Sequence, residues 1–367
     1  MTVKSTMVRA WLVLGMAFAL LASVGAAQDI EPDTVEEQGV DLGSEAGLQA
    51  WVKDFRGRAL AQGISAATFD QAMTGVHFLP DVVSRDRKQD EFTKTIWNYL
   101  DKAVSDDRIA AGQKAARTYA DLLQTLEARY GVDRHVVLAI WGLESAYGAV
   151  RGDVPTLDAL ATLAYDTRRA AFFEAELLAA LTILQSGVVA PDAMMGSWAG
   201  AMGHTQFMPS SYLAYAVSER GQGKPDIWSD DPADALASTA AYLARFGWQK
   251  GGRWGDEIAL PAGFDYGLAG DRTQKPLSVW SAMGVKHPDG SDLAQQGWAA
   301  LLLPAGARGP AFLVYDNFAA IEAYNKADSY VIAVGHLADR IAGGAPFQAP
   351  WPRDLRALTL PERIQLQ

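Results

Sequence analysis

Apolar residues along this chain recur mostly at the three- and four-residue spacing of one helix face. Leu48, Trp51, Val52, Phe55 and Ala59 predict a first helix that ends at Gly63. Ser65 is a good N-cap and predicts a short second helix through Met73. Phe78-Leu79-Pro80-Asp81 reads as a break, and polar Ser84 to Glu91 leads into Phe92, Ile96, Trp97 and Leu100. One long helix is predicted from Ser105 to Tyr130, with Ile109, Ala116, Tyr119, Leu122, Leu123 and Leu126 on its apolar side. After Gly131-Val132-Asp133 the pattern changes. From Val136 to Leu143 no side chain is charged and apolar residues cover all sides, as in a helix buried within a domain, with Gly148 as its stop.

Leu157 to Leu163 and Arg168 to Leu184 predict two more amphipathic helices around the turn Tyr165-Asp166-Thr167, and Asp234 to Phe246 predicts another. Gly187 to Gly203 breaks the period; rich in glycine, alanine and methionine around Trp198, it permits close backbone approach. Only Trp254 to Leu303 reads as strand and loop, with Glu257 to Leu260 and Ala299 to Leu303 bounded by Pro261 and Pro304; Phe312 to Tyr315 is one more strand. Ala319 to Tyr324 and Tyr330 to Ile341 return to helix, and Pro346, Pro350, Pro352 and Pro361 predict an extended tail over 346–367. The expected fold class is therefore mainly α (α+β): a helical region over 46–345 with a small β-containing subdomain around 254–315.

The first residues alter the picture at one end. Lys4 and Arg9, an apolar run from Ala10 to Ala22 and the small residues Val24-Gly25-Ala26-Ala27 predict a cleavable export signal over 1–27. The run is short of the ~20 residues a spanning helix needs. Residues 28–45, acidic and poor in large apolar groups, read as a flexible leader.

Composition then narrows the chemistry. A hydrophobic content of 49% and an aromatic content of 10% are those of a folded protein, and a formal charge of -11 argues against a nucleic-acid partner. Cysteine is absent, which removes disulfides, thiolate nucleophiles and the lipid-carrying cysteine of a lipoprotein. The five histidines, His77, His135, His204, His287 and His336, form no zinc pattern, and no nucleophile elbow, Walker loop or Rossmann fingerprint is present. No metal and no cofactor is expected, and nothing demands more than a monomer.

One carboxylate stands out. Glu144 ends the apolar helix, where lost hydration and the negative end of the helix dipole both raise a carboxyl pKa and suit it to general acid work. A carboxyl group among many aromatic rings is the equipment of a carbohydrate site, although aromatic residues alone are more often core than platform. A glycosidase normally needs a second carboxylate. Asp153, Asp158 and Asp166 are the candidates, and none stands out.

Several motifs in order then carry a resemblance: Gly142-Leu143-Glu144-Ser145-Ala146-Tyr147-Gly148, Leu157 to Leu163, Gly196-Ser197-Trp198-Ala199-Gly200-Ala201-Met202-Gly203, Gln206-Phe207-Met208-Pro209-Ser210-Ser211, Ala307 to Phe318, and Tyr324-Asn325. Together they resemble the B family of lytic murein transglycosylases over about Leu48 to Pro352. The resemblance implies a lysozyme-like helical fold with an added small domain, and non-hydrolytic cleavage of the β-1,4 MurNAc–GlcNAc bond of peptidoglycan. It implies that Glu144 first protonates the glycosidic oxygen and then acts as base on the C6 hydroxyl of the muramoyl residue, closing a 1,6-anhydro ring. Because the substrate supplies the nucleophile, no second carboxylate is then needed. It further implies polar contacts from Ser197 and Gln206 near the acid, and a saccharide groove lined by Tyr242, Tyr324, Asn325 and Tyr330, with Tyr99 and Arg169 as further carry-overs. The implied partners are peptidoglycan glycan strands and cell-wall machinery, in the periplasm.

Two departures accompany the likeness. Some members bind calcium in a loop that here reads Ser218-Glu219-Arg220-Gly221-Gln222-Gly223-Lys224-Pro225-Asp226, where arginine and glutamine replace oxygen-rich acids, so no calcium site is expected. His204-Thr205 stands where other members carry tyrosine and glycine. The tail Leu358 to Gln367 resembles the start of a peptidoglycan-binding module. Two alternatives stay open: a hydrolytic muramidase, and a non-catalytic peptidoglycan-binding scaffold.

Overall fold

The computed structural model describes residues 43–87, 95–221, 223–269 and 272–356. The export signal expected over 1–27, all but the last three residues of the leader, and the tail beyond residue 356 lie outside the described residues. The first three helices are α1 (Glu45–Ala61), α2 (Ala66–Met73) and α3 (Pro80–Arg87). Ser44 and Ser65 cap α1 and α2 by accepting from Gly47 and Thr68 amides. Pro80 reads as a break in the sequence but opens a helix, because proline suits the first turn, where its missing N–H is no loss.

Next come α4 (Ile96–Ala103), α5 (Asp106–Thr118), α6 (Ala120–Tyr130) and α7 (Arg134–Ser145). The single long helix expected from Ser105 to Tyr130 is two: Tyr119 leaves helical geometry at φ -110° and ψ 27°, and its ring packs edge-on against Trp141 at 5.5 Å. The bend lets α5 pack on α7 while α6 turns towards a later helix. No proline or glycine marks it.

β1 (Val154–Pro155) pairs antiparallel with β2 (Met195–Gly196) on either side of α8 (Thr156–Tyr165) and α9 (Ala170–Ser186). α10 (Pro209–Tyr215) and α11 (Ala233–Arg245) follow. The buried carboxylate of Glu176 caps α10, accepting from Ser210 N at 2.9 Å and Ser210 Oγ at 2.6 Å.

The β-containing region is an antiparallel sheet in the order β3 (Gly255–Ile258), β6 (Ala311–Val314), β5 (Trp298–Leu302), β4 (Lys275–Pro276), with α12 (Leu277–Ala282) against it. The strand alternation decides what each face covers. Ala300, Leu302, Phe312 and Val314 point into the helical body, while Ala299, Leu301, Ala311 and Leu313 form a separate small core with Trp280. α13 (Asp316–Glu322) and α14 (Asp328–Ile341) complete the body. Thus the expected mainly helical fold with a small β insertion is what the structure shows.

Two large helical cores organise the rest. One gathers α4–α7, α13 and α14, and the other gathers α1, α2, α8, α9 and α10. α11 is their shared wall: Leu236, Ala240 and Leu243 face the first core, Ala235 and Tyr242 the second. Tyr324, in the turn between α13 and α14, packs against both. Among the described residues no helix is long and apolar enough to cross a membrane.

Candidate active site

Glu144 is the penultimate residue of α7, whose other core residues run from Val136 to Gly142 without a charge. The helix does not stop at Gly148 as its sequence suggests. Ala146 (φ 49°), Tyr147 (φ 59°) and Gly148 (φ 87°) turn left-handed in succession directly behind the glutamate. Two of the three are not glycine, a conformation that persists only when the surroundings over-determine it. Tyr147 supplies part of that hold: its hydroxyl donates to Arg108 O at 2.9 Å and its ring packs edge-on against Trp141 at 5.7 Å.

From α14, the buried Tyr330 donates its hydroxyl to Glu144 Oε1 at 2.5 Å. Burial, and then the Glu144 charge, push the Tyr330 hydroxyl well above the usual tyrosine range, so it stays a donor wherever the protein is folded. Tyr324 feels the same two effects, burial first, and donates to Thr205 O at 2.6 Å, which ties the α13–α14 turn to the residue beside Gln206. Tyr99 from α4 also lies within electrostatic reach of Tyr330.

The remaining sequence candidates divide. Gln206 is a further non-glycine residue in the left-handed region (φ 54°), held there because its side-chain amide nitrogen donates to Arg151 O at 3.0 Å and Gly203 O at 2.9 Å. Ser197 shapes the turn before it, its Oγ accepting from Ala201 N at 3.1 Å. Asn325 follows Tyr324 directly and closes its turn by accepting from Ala327 N at 3.0 Å. Tyr242 is buried: it stacks edge-on with Tyr324 at 5.0 Å, and its hydroxyl donates to Ala323 O at 2.7 Å. Glu144, Tyr330, Tyr324, Tyr99, Tyr242, Asn325 and Gln206 therefore belong to one connected region. Arg169 is engaged otherwise, paired with the buried Asp86 and lying over the Phe173 ring at 4.8 Å.

Sequence reasoning missed a buried group behind the glutamate. Ser145 Oγ donates to His204 O at 2.5 Å and accepts from Gly148 N at 3.0 Å. Trp141 Nε1 meets His204 Nδ1 at 3.2 Å, and His204 Nε2 meets Ser229 O at 2.9 Å. Arg151 donates to Trp228 O and Ser229 O, both at 2.7 Å, and to Asp230 at 2.7 Å. Only His204 carried a signal, as a departure from the family pattern; Arg151 carried none.

The candidate second carboxylates have other partners or stay exposed. Asp166 pairs with Arg87 at 2.9 Å, Asp158 lies by His77 with its pKa raised by burial, and Asp153 is exposed at the head of β1. The loop matched to a calcium site also has its oxygens turned to protein donors. Asp234 accepts from Glu219 N and Asp226 N at 2.7 and 2.8 Å, Asp226 accepts from Trp228 N at 2.9 Å, and Arg129 donates to Glu219 O at 2.6 Å. With the Asp226 and Asp234 carboxylates held by backbone N–H groups and Arg129 against Glu219, these residues do not fit a hard cation.

Comparison with known proteins matches residues 47–339 to the transglycosylase SLT domain. Membrane-bound lytic murein transglycosylase B of Escherichia coli (strain K12) is 36% identical over 247 residues, which is 66% of this chain and 66% of that protein. The chain thus matches just under two thirds of that relative's length. The crystal structure of SltB3 from Pseudomonas aeruginosa in complex with NAG-NAM-pentapeptide is 50% identical, with a TM-score of 0.84 over 87% of this chain and 86% of that one. The Escherichia coli lytic transglycosylase Slt35, solved in complex with calcium, is 29% identical, with a TM-score of 0.68 over 84% of this chain and 98% of that one.

Proposed function

The chain belongs to the transglycosylase SLT domain family, among the B-type lytic murein transglycosylases, and from that premise we propose that it cuts peptidoglycan in the periplasm, at the β-1,4 MurNAc–GlcNAc bond, with Glu144 as acid and then base. Its helical body is lysozyme-like. The observation that carries the role of Glu144 is the Tyr330 hydroxyl on its carboxyl at 2.5 Å, at the end of a stretch of α7 that carries no charge from Val136 to Leu143. That bond fixes the carboxyl orientation before substrate arrives, which is the positional requirement of proton transfer.

The chemistry needs one protein group. Glu144 gives its proton to the glycosidic oxygen, and the bond from C1 to that oxygen breaks with its electron pair leaving on the GlcNAc side. The muramoyl C6 hydroxyl then attacks C1 and returns a proton to Glu144, so an anhydro ring closes and no water is consumed. Asp153, Asp158 and Asp166 need take no part. Gln206 and Asn325 bring polar groups to the same region, Ser197 shapes the turn before Gln206, and Tyr324 and Tyr242 form its aromatic wall.

Digestion of purified peptidoglycan, followed by mass spectrometry of the muropeptide ends, tests the proposal. Anhydro ends support it; reducing ends would assign a hydrolytic muramidase, and binding without cleavage would assign a scaffold. Tyr330→Phe is a finer check on the acid. A hydrogen bond to a charged group contributes about 1.5–3 kcal/mol, so kcat should fall roughly ten- to a hundredfold while the retained ring preserves packing. Wild-type kcat in a folded Tyr330→Phe protein would remove Tyr330 from the mechanism.

A further inference from the structure

Behind Glu144 lies a histidine that the chemistry above does not use. His204 is 3% exposed, in the tight segment between β2 and α10. Its hydrogen positions follow from its neighbours. Indole N–H can only donate, so Nδ1 must be the acceptor facing Trp141 Nε1 at 3.2 Å. The ring hydrogen is then on Nε2, pointing to Ser229 O at 2.9 Å. Arg151 Nη1 approaches Nε2 at 3.4 Å, but its two hydrogens already serve the Trp228 and Ser229 carbonyls, so this is a close approach and not a bond.

Both ends of this ring reach residues that fix the candidate site. Trp141 is one helical turn before Glu144 on α7, and Ser145, next to Glu144, donates to the His204 carbonyl. Two residues on from His204, Gln206 holds its left-handed turn through the carbonyl of Arg151, whose guanidinium braces the far side of the ring. Gly148 makes the approach possible: a Cβ there would meet His204 Nδ1 at 2.6 Å.

We infer that His204 is a positioning residue which, in its neutral form, locks the helix end carrying Glu144 to the loop carrying Gln206. The inference rests on the proposed function for its kinetic consequence. A second proton would place Nδ1–H against the Trp141 N–H, two donors facing one another with no acceptor. The charged groups around the ring are Arg151, from the segment after α7, and Asp230 and Asp231, from the segment before α11. Burial, first, and Arg151 hold the histidine below its usual 6.5, against the opposing pull of the Ser229 carbonyl and the two aspartates. The unfolded chain takes up this proton near pH 6.5, so the lock is complete above that value and is lost as pH falls through the lowered folded value.

Two substitutions and one label test it. His204→Phe removes both ring nitrogens, whereas the Oδ1 of His204→Asn takes the place of Nδ1 as acceptor for Trp141. Against purified peptidoglycan at neutral pH, His204→Phe should lower kcat by about tenfold or more with KM within about twofold. His204→Asn should recover kcat to within about threefold and lose less activity than wild type below pH 6.5. In 15N-histidine-labelled wild type, one imidazole should show an unprotonated Nδ1 whose resonance moves in Trp141→Phe. Wild-type kcat in His204→Phe, an unchanged acid limb in His204→Asn, or a proton on Nδ1 would each overturn the inference. A wild-type protein that does not cut would instead sink the proposed function, and the label would still decide the lock.

Discussion

Glu144→Gln is expected to abolish turnover of peptidoglycan, lowering kcat by about 10^4 or more, while the protein stays folded and still binds glycan. General acid–base catalysis contributes roughly 10^2 to 10^4 in a single step. Here one carboxyl is asked to serve two steps, delivering a proton to the leaving oxygen and then taking one from the C6 hydroxyl. The amide can do neither, so both contributions disappear together. Glutamine also fits the site: its carbonyl oxygen can still accept from Tyr330, which removes a structural reason for inactivity. The measurement is the rate of anhydro-muropeptide release, with thermal melting and sedimentation with insoluble peptidoglycan as controls. Residual turnover within about a hundredfold of wild type would move the acid elsewhere.

The residue most legible in the sequence was this one, and the reason is physical. A lone carboxylate closing the charge-free run from Val136 to Leu143 is visible in the sequence, as are the cap Ser65 and the short apolar strand runs bounded by prolines. What was hidden depends on groups distant in sequence. The bend at Tyr119 leaves the apolar period intact, and its ring contact is with Trp141, far along the chain; the true stop of α7 is two ordinary residues held left-handed by tertiary contacts. The buried group around His204 joins positions 141, 145, 151, 204 and 229, which no local pattern relates. The contacts of Tyr242, its hydroxyl on the Ala323 carbonyl and its ring against Tyr324, likewise join residues that lie far apart in sequence.

Asp86→Ala is the substitution expected to destabilise the fold most, by about 3–5 kcal/mol. Asp86, on α3, is 1% exposed. Its carboxylate takes Arg168 Nε at 2.6 Å on one oxygen and Arg169 on the other, and its carbonyl takes Arg168 Nη2 at 2.6 Å. Removing the carboxylate leaves two guanidinium groups facing an emptied buried site. Their costs differ: the Arg169 side chain is 19% exposed, its Nε finds no acceptor among the described residues, and burial already lowers its pKa, while Arg168 is 44% exposed and can turn to water. Most of the loss should therefore come through Arg169, and Arg168→Ala should cost far less. Urea unfolding of the three proteins, compared at a common m-value, measures this. Urea unfolding of Arg169→Met, together with its KM on peptidoglycan, tests what Arg169 does. As the buried partner of Asp86 it should lower stability when changed to Met with KM unmoved, whereas a residue that held the glycan would raise KM in a protein of unchanged stability.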